Sequence, residues 1–141
     1  MNAAPGILCI VGPTGSGKTA ASLYLAALLE KAGCPAAVIN ADSRQVYRDF
    51  PVITAQPSAE ERRVCPHKLY GWLETTGKIS AGQWADTAVA AIRETLAEGR
   101  IPMLVGGTGF YLRALLDEAF RGQVHLYVLN FLKILCEKGT L

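Results

Sequence analysis

The sequence carries little net charge and few groups able to bind metal or form disulfides. Fourteen Lys and Arg face twelve Asp and Glu, a formal net charge of +2. Apart from the neighbours Arg62 and Arg63 the basic residues are scattered, so no run of them announces a nucleic-acid partner by itself. Cys9, Cys34, Cys65 and Cys136 show no CxxC spacing, which argues against the common zinc and dithiol-redox patterns. Cys9 lies in an apolar run, where a buried, reduced thiol suits a reducing compartment. No stretch approaches the roughly 20 apolar residues of a membrane-spanning helix, and the N-terminus lacks the basic segment of a secretory signal. The expectation is a soluble, cytoplasmic protein without membrane contact. Internal repeats and low-complexity segments are also missing.

What is there suits one domain: 141 residues, half of them apolar. Ile7–Val11, "ILCIV", reads as a strand covered on both faces. A glycine-rich loop follows, then a helix from Lys18 that carries Leu23, Ala26, Ala27 and Leu28 at helical spacings, with Lys31 in its last turn and Gly33 as its stop. "AAVINAD" predicts a second buried strand that delivers Asp42 at its carboxyl end. Residues 43–76, with Pro51, Pro57 and Pro66, read as short helices and loop. Ser80 and Gln83 form a capping-box pair ahead of the stripe Trp84, Ala88, Ala91, Ile92 and Leu96, which predicts a helix over about 81–98. "IPMLV" gives a third strand broken by Gly106 and Gly107, and "TGFYLRALLDEAF" a further helix. Alternating strands and helices predict an α/β fold with a parallel sheet flanked by helices. The apolar tail from Phe120 fits a strand, a buried helix or exposed surface equally, so the division is a core over 1–119 and a divergent tail over 120–141.

"GPTGSGKT", Gly12 to Thr19, satisfies G-x-x-x-x-G-K-[ST] between a strand and a helix. Glycines let backbone N–H groups turn toward oxyanions, the helix start adds its positive end, Lys18 supplies a point charge, and the Thr19 hydroxyl can ligate Mg²⁺. Gly12, Pro13, Thr14, Gly15, Ser16, Gly17, Lys18 and Thr19 are therefore the candidate diphosphate or nucleotide site, with Thr19 the metal ligand. An ATP-using kinase would place a metal-binding acid after a later strand. The third strand ends instead in "GGTG". Asp42 is the strand-terminal carboxylate, and its readings are a substrate-facing base, a helix cap or a support for the metal.

Taken together, "GPTGSGKT", "INADSRQVY", "PH" at Pro66 and His67, "SAG" at 80–82 and "LVGGTGFYLRALLD" are similar in order and spacing to the tRNA dimethylallyltransferases. The resemblance runs from Ile7 to about Asp117 and implies a P-loop NTPase-like fold. It implies transfer of the dimethylallyl group of dimethylallyl diphosphate to N6 of the adenine beside the anticodon of tRNA, with Mg²⁺ as cofactor and pyrophosphate as leaving group. Asp42, Lys18 and Thr108 would then be catalytic, and Asp42, Ser43, Arg44, Gln45 and Thr108 would contact the tRNA anticodon arm. Full-length members are expected to be monomers. Other readings of the residues stay open: Arg44 in a surface ion pair, Thr108 as a helix cap, His67 as a loop hydrogen-bonding group. Lys68 stands where members commonly carry a second His, 71–78 diverges, and the resemblance fades after Ala119 although the family continues well beyond this length. The expectation is retained diphosphate binding with little transfer activity. The alternatives are an ATP-using P-loop small-molecule kinase and an adenylate dimethylallyltransferase.

Overall fold

The computed structural model describes residues 6–13, 15–49, 51, 54–107, 109–118 and 125–130. The chain alternates β1 (Gly6–Val11), α1 (Lys18–Lys31), β2 (Ala36–Asn40), α2 (Ala59–Val64), β3 (His67–Lys68), α3 (Ala81–Ala97), β4 (Ile101–Gly106), α4 (Gly109–Glu118) and β5 (His125–Asn130). The strands form one sheet in the order β3-β2-β4-β1-β5, and every pairing is parallel. Two of the five strands among the described residues have no definite assignment from sequence. β3 has two residues, too few for any pattern, and β5 lies in the tail, where it pairs with β1 from Gly6↔His125 to Val11↔Asn130.

Strand alternation sorts the apolar residues onto two faces. Ile7, Cys9, Ile39, Ala41 and Leu104 point to the side covered by α3 and α4, where Trp84, Ala88, Ile92, Tyr111 and Leu115 complete a core. Ile10, Ala36, Val38, Met103 and Val105 point to the side of α1, against Ala26 and the partly buried Leu25 and Leu29. Burial on both faces is why β1, β2 and β4 read as continuous apolar runs.

Helix ends follow local chemistry. Ser80 accepts from the Gln83 N–H, and the Gln83 side chain accepts from the Ser80 N–H, the capping box expected from sequence. α2 starts with a second such box, Ser58 with Glu61, from the run "SAEE". α1 and α3 each stop at a glycine with positive φ, Gly33 at 78° and Gly99 at 74°. At α1 the Cys34 N–H donates to Leu29 O and Gly33 N–H to Glu30 O; Arg100 and Gly99 repeat this at α3 with Thr95 and Leu96.

α1 turns Ser22 and Ala26 to the sheet together with the partly buried Leu25 and Leu29, while Leu23 is intermediate and Ala27 and Leu28 are exposed. Most positions of α1 are apolar, so spacing alone fits more than one face, and packing against β2 and β4 selects this one.

The topology also places the ligand end. From β1 the chain crosses through α1 to β2, and from β4 it crosses through α4 to β5, in opposite directions along the sheet. The carboxyl ends of β1 and β4, paired at Val11↔Gly106, therefore border a crevice where connections diverge.

Candidate functional site

The loop after β1 is shaped by glycine and left open at the helix start. Gly15 and Gly17 have φ of 76° and 89°, a region that costs other residues about 1–2 kcal/mol. Gly17 is the N-cap of α1 and offers no side chain to the first-turn N–H groups, so these donors and the positive helix end remain available to an anion. The Lys18 ammonium donates to Pro13 O at 2.8 Å, folding back over the loop. Partial burial lowers its pKa, the Asp42 charge raises it and the Arg44 charge lowers it again. Ser16 Oγ is buried and finds no hydrogen-bond partner among the described residues. Thr19 is exposed at the same helix end.

Across from the loop, the end of β2 is tied down. Asn40 is fully buried; its Oδ1 accepts from the Asp42 N–H at 2.8 Å and its Nδ2 donates to Asp42 O at 3.0 Å and Leu69 O at 3.1 Å. The Trp84 indole N–H donates to Asn40 O at 3.2 Å, and Trp84 stacks on Tyr111 with ring centroids 4.7 Å apart. Ala41, between Asn40 and Asp42, lies so close to β4 that a Cβ on Gly106 would come within 2.3 Å of Ala41 O. This contact, rather than a strand break, is why glycine stands at 106: β4 runs through it.

A cleft of about 530 Å³ joins the two halves. Gly15, Ser16, Gly17, Lys18 and Thr19 line it from the loop, Asp42, Arg44 and Gln45 from beyond β2, and Gly106 from β4. Asp42 Oδ1 accepts from the Arg44 N–H at 2.8 Å and sits 3.8 Å from Arg44 Nε. The Gln45 amide donates to Thr54 O at 2.7 Å and Ala55 O at 2.9 Å, holding that segment as one wall of the cleft. Ser43 is half-buried, and neither it nor Gly12 and Pro13 borders the cleft. Thr14 and Thr108 lie outside the described residues. Tyr70 and Glu61, which the sequence reading did not select, complete the cleft. Burial pushes the Tyr70 hydroxyl far above the usual phenol range despite the Arg62 guanidinium 5.7 Å over its ring. No period or motif marks Tyr70; its place follows from β3 beside β2.

His67 Nδ1 donates to Cys65 O at 2.9 Å, a loop-holding bond, and burial lowers the pKa of the ring. Lys68 reaches Glu98, the C-cap of α3, at 3.1 Å and Glu94 on α3 at 3.6 Å, a structural use of the position. No cluster of three His, Cys, Asp or Glu able to hold a metal occurs among the described residues. No helix among them is long and apolar enough to cross a membrane.

The family model for IPP transferase matches residues 45–128. The chain belongs to the IPP transferase family. The match continues past Ala119, where the resemblance read from sequence faded, and takes in part of β5. The chain is 66% identical over 116 residues to the tRNA dimethylallyltransferase of Nitratidesulfovibrio vulgaris (strain DP4), covering 82% of this chain and 36% of that relative. Among solved structures it is similar to the full-length tRNA isopentenylpyrophosphate transferase of Bacillus halodurans, at TM-score 0.73 and 38% identity over 85% of this chain and 38% of that one. It is also similar to a eukaryotic dimethylallyltransferase acting on tRNA, at TM-score 0.71 and 32% identity, covering 81% of this chain and 27% of that one. The chain thus spans about a third of the length of the curated relatives it matches.

Proposed function

We propose that this chain carries the diphosphate-binding and base-catalytic part of a tRNA-modifying prenyltransferase. Its substrates are dimethylallyl diphosphate and the adenine beside the anticodon of a tRNA. One observation carries the reading: the glycine-rich loop and the carboxylate beyond β2, Asp42, line the same cleft, while the second carboxylate there, Glu61, accepts from the Ser58 N–H in the α2 capping box. The end of β4, where a nucleotide-hydrolysing site would place a metal-binding acid, offers only Gly106 and Gly107.

In this reading the loop N–H groups, the α1 N-terminus and Lys18 hold the two phosphates, with Lys18 leaving Pro13 O to do so. The allylic C1–O bond breaks and its electron pair leaves with pyrophosphate, whose developing charge these donors stabilise. The lone pair of adenine N6 forms the new C–N bond, and the N6 proton passes to the Asp42 carboxylate. Adenine must leave its stack to reach a cleft of this depth. Thr108 near the reacting groups, and Ser43, Arg44 and Gln45 toward the RNA, belong to the same proposal, as does a cytoplasmic, monomeric full-length enzyme.

Magnesium fits this arrangement through the exposed Thr19 hydroxyl and substrate oxygens, since Mg²⁺ keeps waters and binds by few protein ligands. When bound, it neutralises diphosphate charge.

The test is calorimetric competition between dimethylallyl diphosphate and ATP with Mg²⁺, for the wild-type chain and Lys18→Ala. Preference for the allylic diphosphate, lost in the variant, is expected. Preference for ATP would move the site to phosphoryl transfer.

A further inference from the structure

Asp42 receives attention as the base, yet what fixes it is a residue two positions earlier. Asn40 ends β2, has no solvent exposure, and uses both atoms of its amide on Asp42: Oδ1 on the N–H, Nδ2 on the carbonyl. The remaining Nδ2 hydrogen goes to Leu69 O, whose residue sits at φ 66°, a conformation that costs a leucine about 1–2 kcal/mol. The backbone of Asn40 is fixed in turn by the Trp84 indole.

An apolar side chain of similar size would fill this volume and suit a strand otherwise made of Ala, Val and Ile. An amide there is useful because it reads both backbone groups of the residue beyond the strand, where the ladder to β4 has ended. With N–H and carbonyl both held, Asp42 has no peptide rotation left. Its Oδ1 is set to accept from Arg44 N–H on the rim of the cleft that Lys18 also lines.

We propose that Asn40 is a positioning residue that presets the Asp42 carboxylate for proton transfer. This rests on Asp42 being the base, as argued above. The bonds themselves are independent of that reading, and so is half of the test.

The experiment follows the wild-type chain, Asn40→Ala and Asn40→Ser by amide NMR. In the wild type the amides of Asp42 and Arg44, which donate to Asn40 Oδ1 and Asp42 Oδ1, exchange as slowly as amides of β4. Asn40→Ala speeds both by at least about tenfold relative to β4 amides; Asn40→Ser, with one hydroxyl on a shorter arm, recovers part of both. A merely structural asparagine would lower the urea midpoint and leave Arg44 exchange unchanged relative to β4, which would overturn the proposal. So would fast Asp42 exchange in the wild type, a readout that needs no variant to fold.

Where transfer to an anticodon stem-loop is measurable, Asn40→Ala lowers kcat about 10- to 100-fold with the KM for dimethylallyl diphosphate unchanged. An unchanged kcat also overturns the proposal. Little or no transfer by the wild type is what is expected of a chain that spans about a third of its relatives' length, and the amide readouts then decide the proposal.

Discussion

α1 and α3 flank the same sheet on opposite faces, yet they are held in place by different means. α3 buries Trp84, Ala85, Ala88, Ala91, Ile92 and Thr95. α1 buries Ser22 and Ala26, while Tyr24 at 70% and Leu28 at 45% relative exposure face outward. α3 is a packing element whose apolar period and face agree. α1 turns Ser22, Leu25, Ala26 and Leu29 toward the sheet and leaves its other apolar residues outside. The difference shows that where most positions of a helix are apolar, spacing alone does not choose the buried face.

Truncating the most deeply packed side chain on α3 should sharpen this contrast most. Trp84→Ala removes a fully buried ring, its stack on Tyr111 and the bond to Asn40 O, and is expected to cost about 3–5 kcal/mol by urea denaturation. A loss below that range would mean the α3 face collapses onto the gap.

Acid titration probes the α1 side, where His67 is held near Cys65 and Tyr70. Burial lowers the folded-state pKa of His67 from 6.5, so below that pH the unfolded chain binds the proton more readily than the folded one. The stability His67 supplies is intact above pH 6.5 and is lost as pH falls from there through the lower folded-state value. Urea midpoints measured between pH 8 and 5 should fall in wild type more than in His67→Gln, and parallel curves would remove His67 from the account.

The smallest effect is expected on the outer face of α1. Tyr24→Ser and Leu28→Gln should each change stability by no more than about 0.5 kcal/mol in thermal melts. A loss comparable to that of Trp84→Ala would break the comparison and show that this face is covered in solution.

Much of the candidate site was legible because the chemistry it suggests needs residue types at fixed spacing. Gly15, Ser16, Gly17, Lys18, Thr19 and Asp42 come to one cleft, while Gly12, Pro13 and Ser43 do not border it. Gly106 was legible as special but for another reason: it makes room for Ala41 O and does not end the strand. Asn40 was read as part of a strand, since nothing in a run of five residues tells a buried amide from a solvated one.

By itself the sequence determined the glycine-rich loop between β1 and α1, the capped α3, the parallel α/β alternation and the family motifs, because each rests on contacts within a few residues or on the period of one element. Only the tertiary structure decided that β5 pairs with β1, that α1 turns Ser22, Leu25, Ala26 and Leu29 inward, and that Tyr70, Gln45 and Asn40 shape the cleft around Asp42. Those outcomes depend on pairs far apart in the chain, such as Asn40 with Leu69 and Trp84, whose meeting is fixed by strand order and close approach rather than by any local pattern.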